Sequence, residues 1–197
     1  MEFMARETRR FGGKILAWCL MTNHVHWIAV PEDAKGLARA IGEAHKRYSR
    51  MRNFAEGVRG YLFPGRFGSG VLDEKHLVAA VRYVERNPVR AGIVKEPWTY
   101  PWSSAGFHVG ERAGDVLVDE RGLWGFSGNW KEYVGVAGKD EDVNIRKATR
   151  TGRPLAEGRS LTKLERLTEL ISAKGNQVVP AETLEISDVS PNSPGRI

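Results

Sequence analysis

The chain has 197 residues, 41% hydrophobic and 27% charged, with one cysteine and a formal net charge of +6, enough for one ordinary domain with an appendage. A single cysteine excludes a disulfide framework and a cysteine-based zinc cluster and fits a reducing compartment, so a cytoplasmic location is expected; no basic-then-apolar leader opens the chain and no apolar run approaches the ~20 residues that span a bilayer, so no membrane partner is expected. Residues 1–104 carry 17 Lys and Arg against 10 Asp and Glu, and residues 105–197 carry 13 against 14, which puts a basic surface suited to a polyanion in the first half.

Residues 3–11 (FMARETRRF) read as a helix stopped by Gly12 and Gly13. Residues 15–21 and 24–30 read as two strands flanking the polar break Thr22-Asn23, an antiparallel hairpin ended by Pro31. Side chains alternate faces along a strand, so His24 and His26 share one face while Val25 and Trp27 take the other. That arrangement is either a paired-imidazole site or two core histidines.

From 36 to about 54, Leu37, Ile41, Ala44, Tyr48 and Met51 recur at spacings of four and three, an amphipathic helix whose apolar stripe places Tyr48 in the core. Lys46, Arg47 and Arg50 form a face for phosphate or for solvent alone, and His45 is expected on the helix surface. Glycines interrupt the next stretch, with a short strand expected at 67–72; Arg66 and Phe67 offer a charge and a stacking ring for an unpaired base. Residues 74–86 form a second helix with Leu77, Val81 and Val84 as its core stripe and His76 on its surface, and Pro88 stops it near Asn87. Beyond 104 the chain turns glycine-rich, with a helix expected near 160–173 and a tail of disordered composition from about 187.

Tyr83 and Asn87 stand one turn apart on the second helix, rotated about 100° from its core stripe. If that helix crosses the sheet, a phenol and a carboxamide face the two histidines. Two imidazoles and an amide oxygen make an open three-ligand metal site with positions left for phosphate oxygens. A phenol beside it is a candidate nucleophile toward phosphorus. Arg82, Arg86 and Arg90 flank that phenol in sequence and are candidate DNA contacts.

The segments LMTNHVHWIAVP, VRYVERNPVRAGIV and YPWSS, in that order, closely resemble the single-tyrosine HUH transposases of the insertion-sequence-200-like group, especially the REP-associated tyrosine transposases. The resemblance runs over about residues 3–104, and TGRPLAEGRSLTKLE is similar to their C-terminal extension. It implies an α+β fold over residues 1–104, a ferredoxin-like antiparallel sheet with helices on it, followed by a mostly helical or irregular extension over 105–197. It implies that His24, His26 and Asn87 bind Mg²⁺ or Mn²⁺, the imidazoles favouring Mn²⁺. Tyr83 then attacks single-stranded or hairpin DNA, leaving a 5′-phosphotyrosine and a free 3′-hydroxyl, in a monomer or a homodimer. The alternatives are a DNA-binding remnant without a working site and, more remotely, a phosphoesterase acting on small nucleotides.

In that family a further strand precedes the first helix and lies inside the sheet, whereas this sequence starts within the helix. The sheet is therefore expected to lack its first strand, because the start lies upstream or the gene is decaying, unless a segment such as DVLVDE or NQVVP fills the slot. An empty interior position leaves ladder groups unpaired at roughly 1–3 kcal/mol for each buried group. Over a whole strand this exceeds a domain's stability of about 5–15 kcal/mol.

Overall fold

A computed structural model describes residues 1–33, 35–63, 67–123, 125–151, 153–156 and 184–189. Helix α1 (Glu2–Arg10) ends at Gly12, whose φ of 65° lets the chain turn sharply into β1 (Gly13–Leu20). Strand β1 pairs antiparallel with β2 (Val25–Pro31), and α2 (Gly36–Glu56) follows, closed by the left-handed Gly57. Strand β3 (Gly68–Leu72) leads into α3 (Glu74–Glu85), whose first turn is capped by the Asp73 side chain accepting from the His76 amide at 3.1 Å. Pro88 does not extend that helix; the chain restarts as the one-turn α4 (Asn87–Arg90). A 3₁₀ turn (Pro97–Thr99), α5 (Ala105–His108), α6 (Trp130–Gly135), α7 (Lys139–Thr151) and β4 (Leu184–Val189) complete the order.

The fold is α+β, with a four-stranded sheet in the order β1-β2-β4-β3. Strand β4 pairs antiparallel with both β2 and β3. The interior position expected to lack its strand is thus occupied, by LEISDV rather than by the two segments named from sequence. DVLVDE (115–120) instead lies outside the strands and contributes Leu117 and Val118 to the core, while NQVVP (176–180) and the helix expected at 160–173 lie outside the described residues. The tail expected from 187 is strand as far as Val189.

Two hydrophobic clusters lie on opposite faces of the sheet. One joins Met4 and Ala5 of α1 and Leu37, Ile41 and Ala44 of α2 to Trp18, Val25, Trp27 and Ala29. The other joins Leu77, Ala80, Val81, Tyr83 and Val84 of α3 to Ala17, Cys19, Ile28 and Leu72, with Trp130, Val134 and Ile145 behind them. Both clusters draw on residues either side of position 104. A one-residue register shift between Ile15 and Ala17 changes which face β1 presents, so Ile15 and Trp18 lie in the first cluster and Ala17 and Cys19 in the second. The outer edge of β1 is covered by the YPWSS segment, where the Leu20 amide donates to the Trp102 carbonyl and the Ser104 amide to that of Trp18.

Tyr48 does not pack in the core: it is 41% exposed and Met51 46%, so the stripe of α2 is buried only as far as Ala44. At 1.5 Å per residue the 21 residues of α2 extend about 31 Å. The seven residues of β2 beneath it extend about 23 Å, and the last turns of α2 overhang the sheet. Among the described residues no helix is long and apolar enough to cross a membrane.

Candidate functional site

His26 lies on β2, and the alternation that sends Val25 and Trp27 to the α1–α2 face sends His26 to the α3 face. The Nε2 atoms of His24 and His26 approach to 3.0 Å, close to the spacing of two neighbouring ligands on one ion when metal–nitrogen distances are about 2.0–2.1 Å. The Nδ1–H of His24 donates to Asn23 Oδ1 at 2.6 Å. An outer hydrogen bond of this kind is how the tautomer of a ligating histidine is fixed. The donor set and its outer partner therefore fit a divalent ion.

Helix α3 crosses the same face and presents Tyr83, 3% exposed, with its ring centroid 6.1 Å from that of His26 in an edge-to-face arrangement. Arg90 lies over the other side of the phenol, its guanidinium carbon 4.0 Å from the ring centroid. Asn87 is buried beside them, but its amide is engaged: Nδ2 donates to the Tyr83 carbonyl at 3.2 Å and Oδ1 accepts from Arg90 Nη2 at 2.6 Å. Among the described side chains no three His, Cys, Asp or Glu form a group that would hold a metal.

The basic candidates separate into engaged and solvent-facing. Arg82 is buried, paired with Glu141 and stacked 4.3 Å over the Tyr133 ring. Arg86 donates to the Val134 and Gly135 carbonyls at 2.7 and 2.6 Å. Burial pushes the Asp142 carboxyl up, against the opposing pull of Arg90, Arg82 and Arg86. The arginine row of α3 and α4 therefore meets an acidic stretch of α7, which spends much of its charge inside the fold. Arg47 pairs with Glu7 at 3.0 Å. Lys46 is exposed, 3.4 Å from Glu43, and Arg50 is exposed. Phe67 is half-buried against the α1–α2 cluster, and Arg66 lies outside the described residues.

Two histidines expected on helix surfaces are not there. His45 stacks on Phe63 with centroids 3.9 Å apart, and burial pushes its imidazole down to about 4. His76 is half-buried with Nδ1 2.5 Å from Asp73 Oδ1. Burial pushes the Cys19 thiol far up, which makes it an inert packing residue rather than a nucleophile.

Sequence reasoning missed the support behind Tyr83. Glu85, fully buried, accepts from Ser104 Oγ at 2.6 Å and Trp130 Nε1 at 3.0 Å and lies 2.5 Å from His108 Nδ1. Ser104 Oγ also accepts the Trp18 amide of β1 at 3.0 Å, so the end of the tyrosine helix is tied to the sheet. The signal was present: Glu85 follows Leu77 and Val81 at spacings of four, a carboxylate on a core stripe. Compared with protein-family models, curated proteins and solved structures, the chain matches none.

Proposed function

We propose that this protein is a single-tyrosine HUH-type transposase that nicks and rejoins single-stranded or hairpin DNA in the cytoplasm, using Mg²⁺ or Mn²⁺, on a ferredoxin-like sheet. The observation that carries the reading is the meeting of Tyr83 with the His24–His26 pair on one face of the sheet. The sheet order supports it too: β4 lies antiparallel between β2 and β3, the slot that the resemblance assigns to an interior strand.

His24 and His26 would hold the ion, which when bound supplies positive charge to phosphate oxygens and makes phosphorus more electrophilic. The Tyr83 phenolic oxygen forms a bond to phosphorus as the bond from phosphorus to the 3′ oxygen breaks. The phenol proton passes to solvent and the departing 3′ oxygen takes one up; nothing is oxidised, and rejoining is the same exchange reversed. Arg90, against the phenol, places a guanidinium where the phosphate must arrive. Lys46 and Arg50 keep their charges in solvent for the flanking strand.

The test is to mix the protein with labelled hairpin oligonucleotides from the repeats flanking its gene and Mn²⁺ or Mg²⁺, and to look for protein-linked label on a denaturing gel. A metal-dependent adduct is expected, absent with Tyr83→Phe and with His24→Ala. A second reading, a DNA-binding remnant, is favoured by one observation: the Asn87 oxygen assigned to the metal is taken by Arg90. Hairpin binding that survives Tyr83→Phe, with no adduct under any metal, would replace the first reading by the second.

A further inference from the structure

The last turns of α2 overhang the sheet, and two features fix their direction. Only residues 32–35 join β2 to α2, so the helix starts at the Pro31 end of the strand, and His45 meets Trp27 with ring centroids 6.4 Å apart. Beyond that contact α2 continues to Glu56, about 16 Å, whereas β2 has only Val25 and His26 left, about 7 Å. The overhang therefore projects past the end of the sheet at which His24 stands, while the helix itself packs on the face opposite Tyr83.

The side chains there are unlike those of an ordinary solvated helix end. Five of the ten exposed large hydrophobic side chains among the described residues lie within 48–61, and three of the five are aromatic: Tyr48, Phe54 at 90% exposure and Tyr61 at 94%. Exposed apolar side chains gathered in this way mark a contact surface. The loop bearing Tyr61 is held to the helix end, where Asn53 Nδ2 donates to the Gly60 carbonyl at 2.8 Å and the Val58 amide to the Asn53 carbonyl at 3.0 Å. Residues 46–61 carry five Lys and Arg against one Glu. Arg47 is paired with Glu7 and Arg52 with Glu56, whereas Arg50 and Arg59 are exposed and make no ion pair among the described residues.

Charge selects the occupant. A second copy of this chain would bring like charges together on this surface, whereas a polyanion complements them. The rings narrow the choice further, because duplex bases are stacked on one another while the bases of an unpaired strand are free to stack on exposed aromatic side chains, with cations along the phosphates. We infer that the end of α2 and the loop after it form a platform for single-stranded DNA, on which Phe54 and Tyr61 stack bases and Arg50 and Arg59 meet phosphates.

The inference rests on the DNA reading above but on none of its chemistry. The test is fluorescence anisotropy of a labelled oligothymidine of about 12 nucleotides, titrated with the full chain in EDTA so that no metal-dependent step takes part. Wild type is expected to bind this strand about tenfold or more tighter than the same strand annealed to its complement. Phe54→Ala and Tyr61→Ala are each expected to weaken binding about fivefold or more, and Phe54→Trp, which keeps a ring face, to stay within about twofold. Val143→Ala, which trims an exposed apolar side chain of α7, should also stay within about twofold. Arg50→Gln should lower the slope of log affinity against log salt by about 0.7. Because Phe54 and Tyr61 face solvent, their alanine variants should keep the wild-type urea midpoint. If both alanine variants bind as wild type does, the platform is absent and the DNA reading stands without it. If the duplex binds as tightly as the single strand, the surface holds phosphates alone and the stacking assignment falls. If wild type sediments as a dimer that Phe54→Ala dissociates, the occupant is a second copy. If neither form of DNA binds, the DNA reading falls, and this inference with it.

Discussion

Glu85 is the residue on which the geometry of Tyr83 depends most directly. Its carboxylate, with no exposed surface, has a hydroxyl and an imidazole nitrogen from the two ends of α5 and an indole N–H from α6 around it. A buried charge holds its place only when its partners are complete. Glu85→Ala removes the acceptor and leaves donors of Ser104 and Trp130 in a dry interior, each costing about 1–3 kcal/mol. The expected loss, read from urea unfolding, is on the order of 3 kcal/mol or more, a large part of a domain's ~5–15 kcal/mol. Glu85→Gln, which keeps the volume and one acceptor oxygen, should cost less. A loss below about 1 kcal/mol for the alanine variant would mean that those donors find other partners.

Among the elements, α2 divides sharply along its length. Ile41 is 1% exposed and touches the sheet, whereas Met51, on the same stripe, is 46% exposed. Ile41→Ala should cost about 2–5 kcal/mol and Met51→Ala no more than about 0.5 kcal/mol; equal costs would mean that the overhang is covered in solution. The contrast marks what the sequence could convey. Hydrophobic periodicity is local, so it located α1, the hairpin, α2, β3 and α3 to within about two residues, but it says nothing of where the sheet under a helix ends. Helix α7 went unread because its residues are mostly polar, with Ile145 and Ala148 as the apolar side chains it buries. Strand β4 went unread because pairing with β2 and β3 unites opposite ends of the chain. At the site, the two-residue spacing of the histidines and the one-turn spacing of Tyr83 and Asn87 were legible. The bond that turns Asn87 toward Arg90 was not, since it depends on the chain restarting as α4 after the proline.

At the scale of the whole molecule, two described groups on the α1–α2 side of the sheet, His45 and Glu7, make stability depend on acid. His45, wedged between Trp27 and Phe63, is pushed by burial from 6.5 down to about 4. The unfolded chain therefore takes up a proton at His45 before the folded protein does. Its contribution to stability is complete above 6.5 and is lost as pH falls toward 4. Glu7 has the same sign in a lower window. Burial pushes its carboxyl up, but Arg6, Arg47 and Arg10 overcome this and hold it below its ordinary 4.5. Its stabilisation is complete above 4.5 and disappears as pH drops through the lowered folded value. Urea midpoints measured from about pH 7 down to about pH 3 should therefore decline in two overlapping stages. His45→Phe, which keeps a ring for Phe63 to stack on, should flatten the upper stage alone, and Glu7→Gln the lower stage alone, since no cation then has a carboxylate to lose. If the His45→Phe profile runs parallel to wild type between pH 6.5 and 4, the imidazole is not the group being protonated. If Glu7→Gln keeps the full acid decline, the pairing of Glu7 with Arg6 and Arg10 of its own helix and with Arg47 of α2 is not what acid removes.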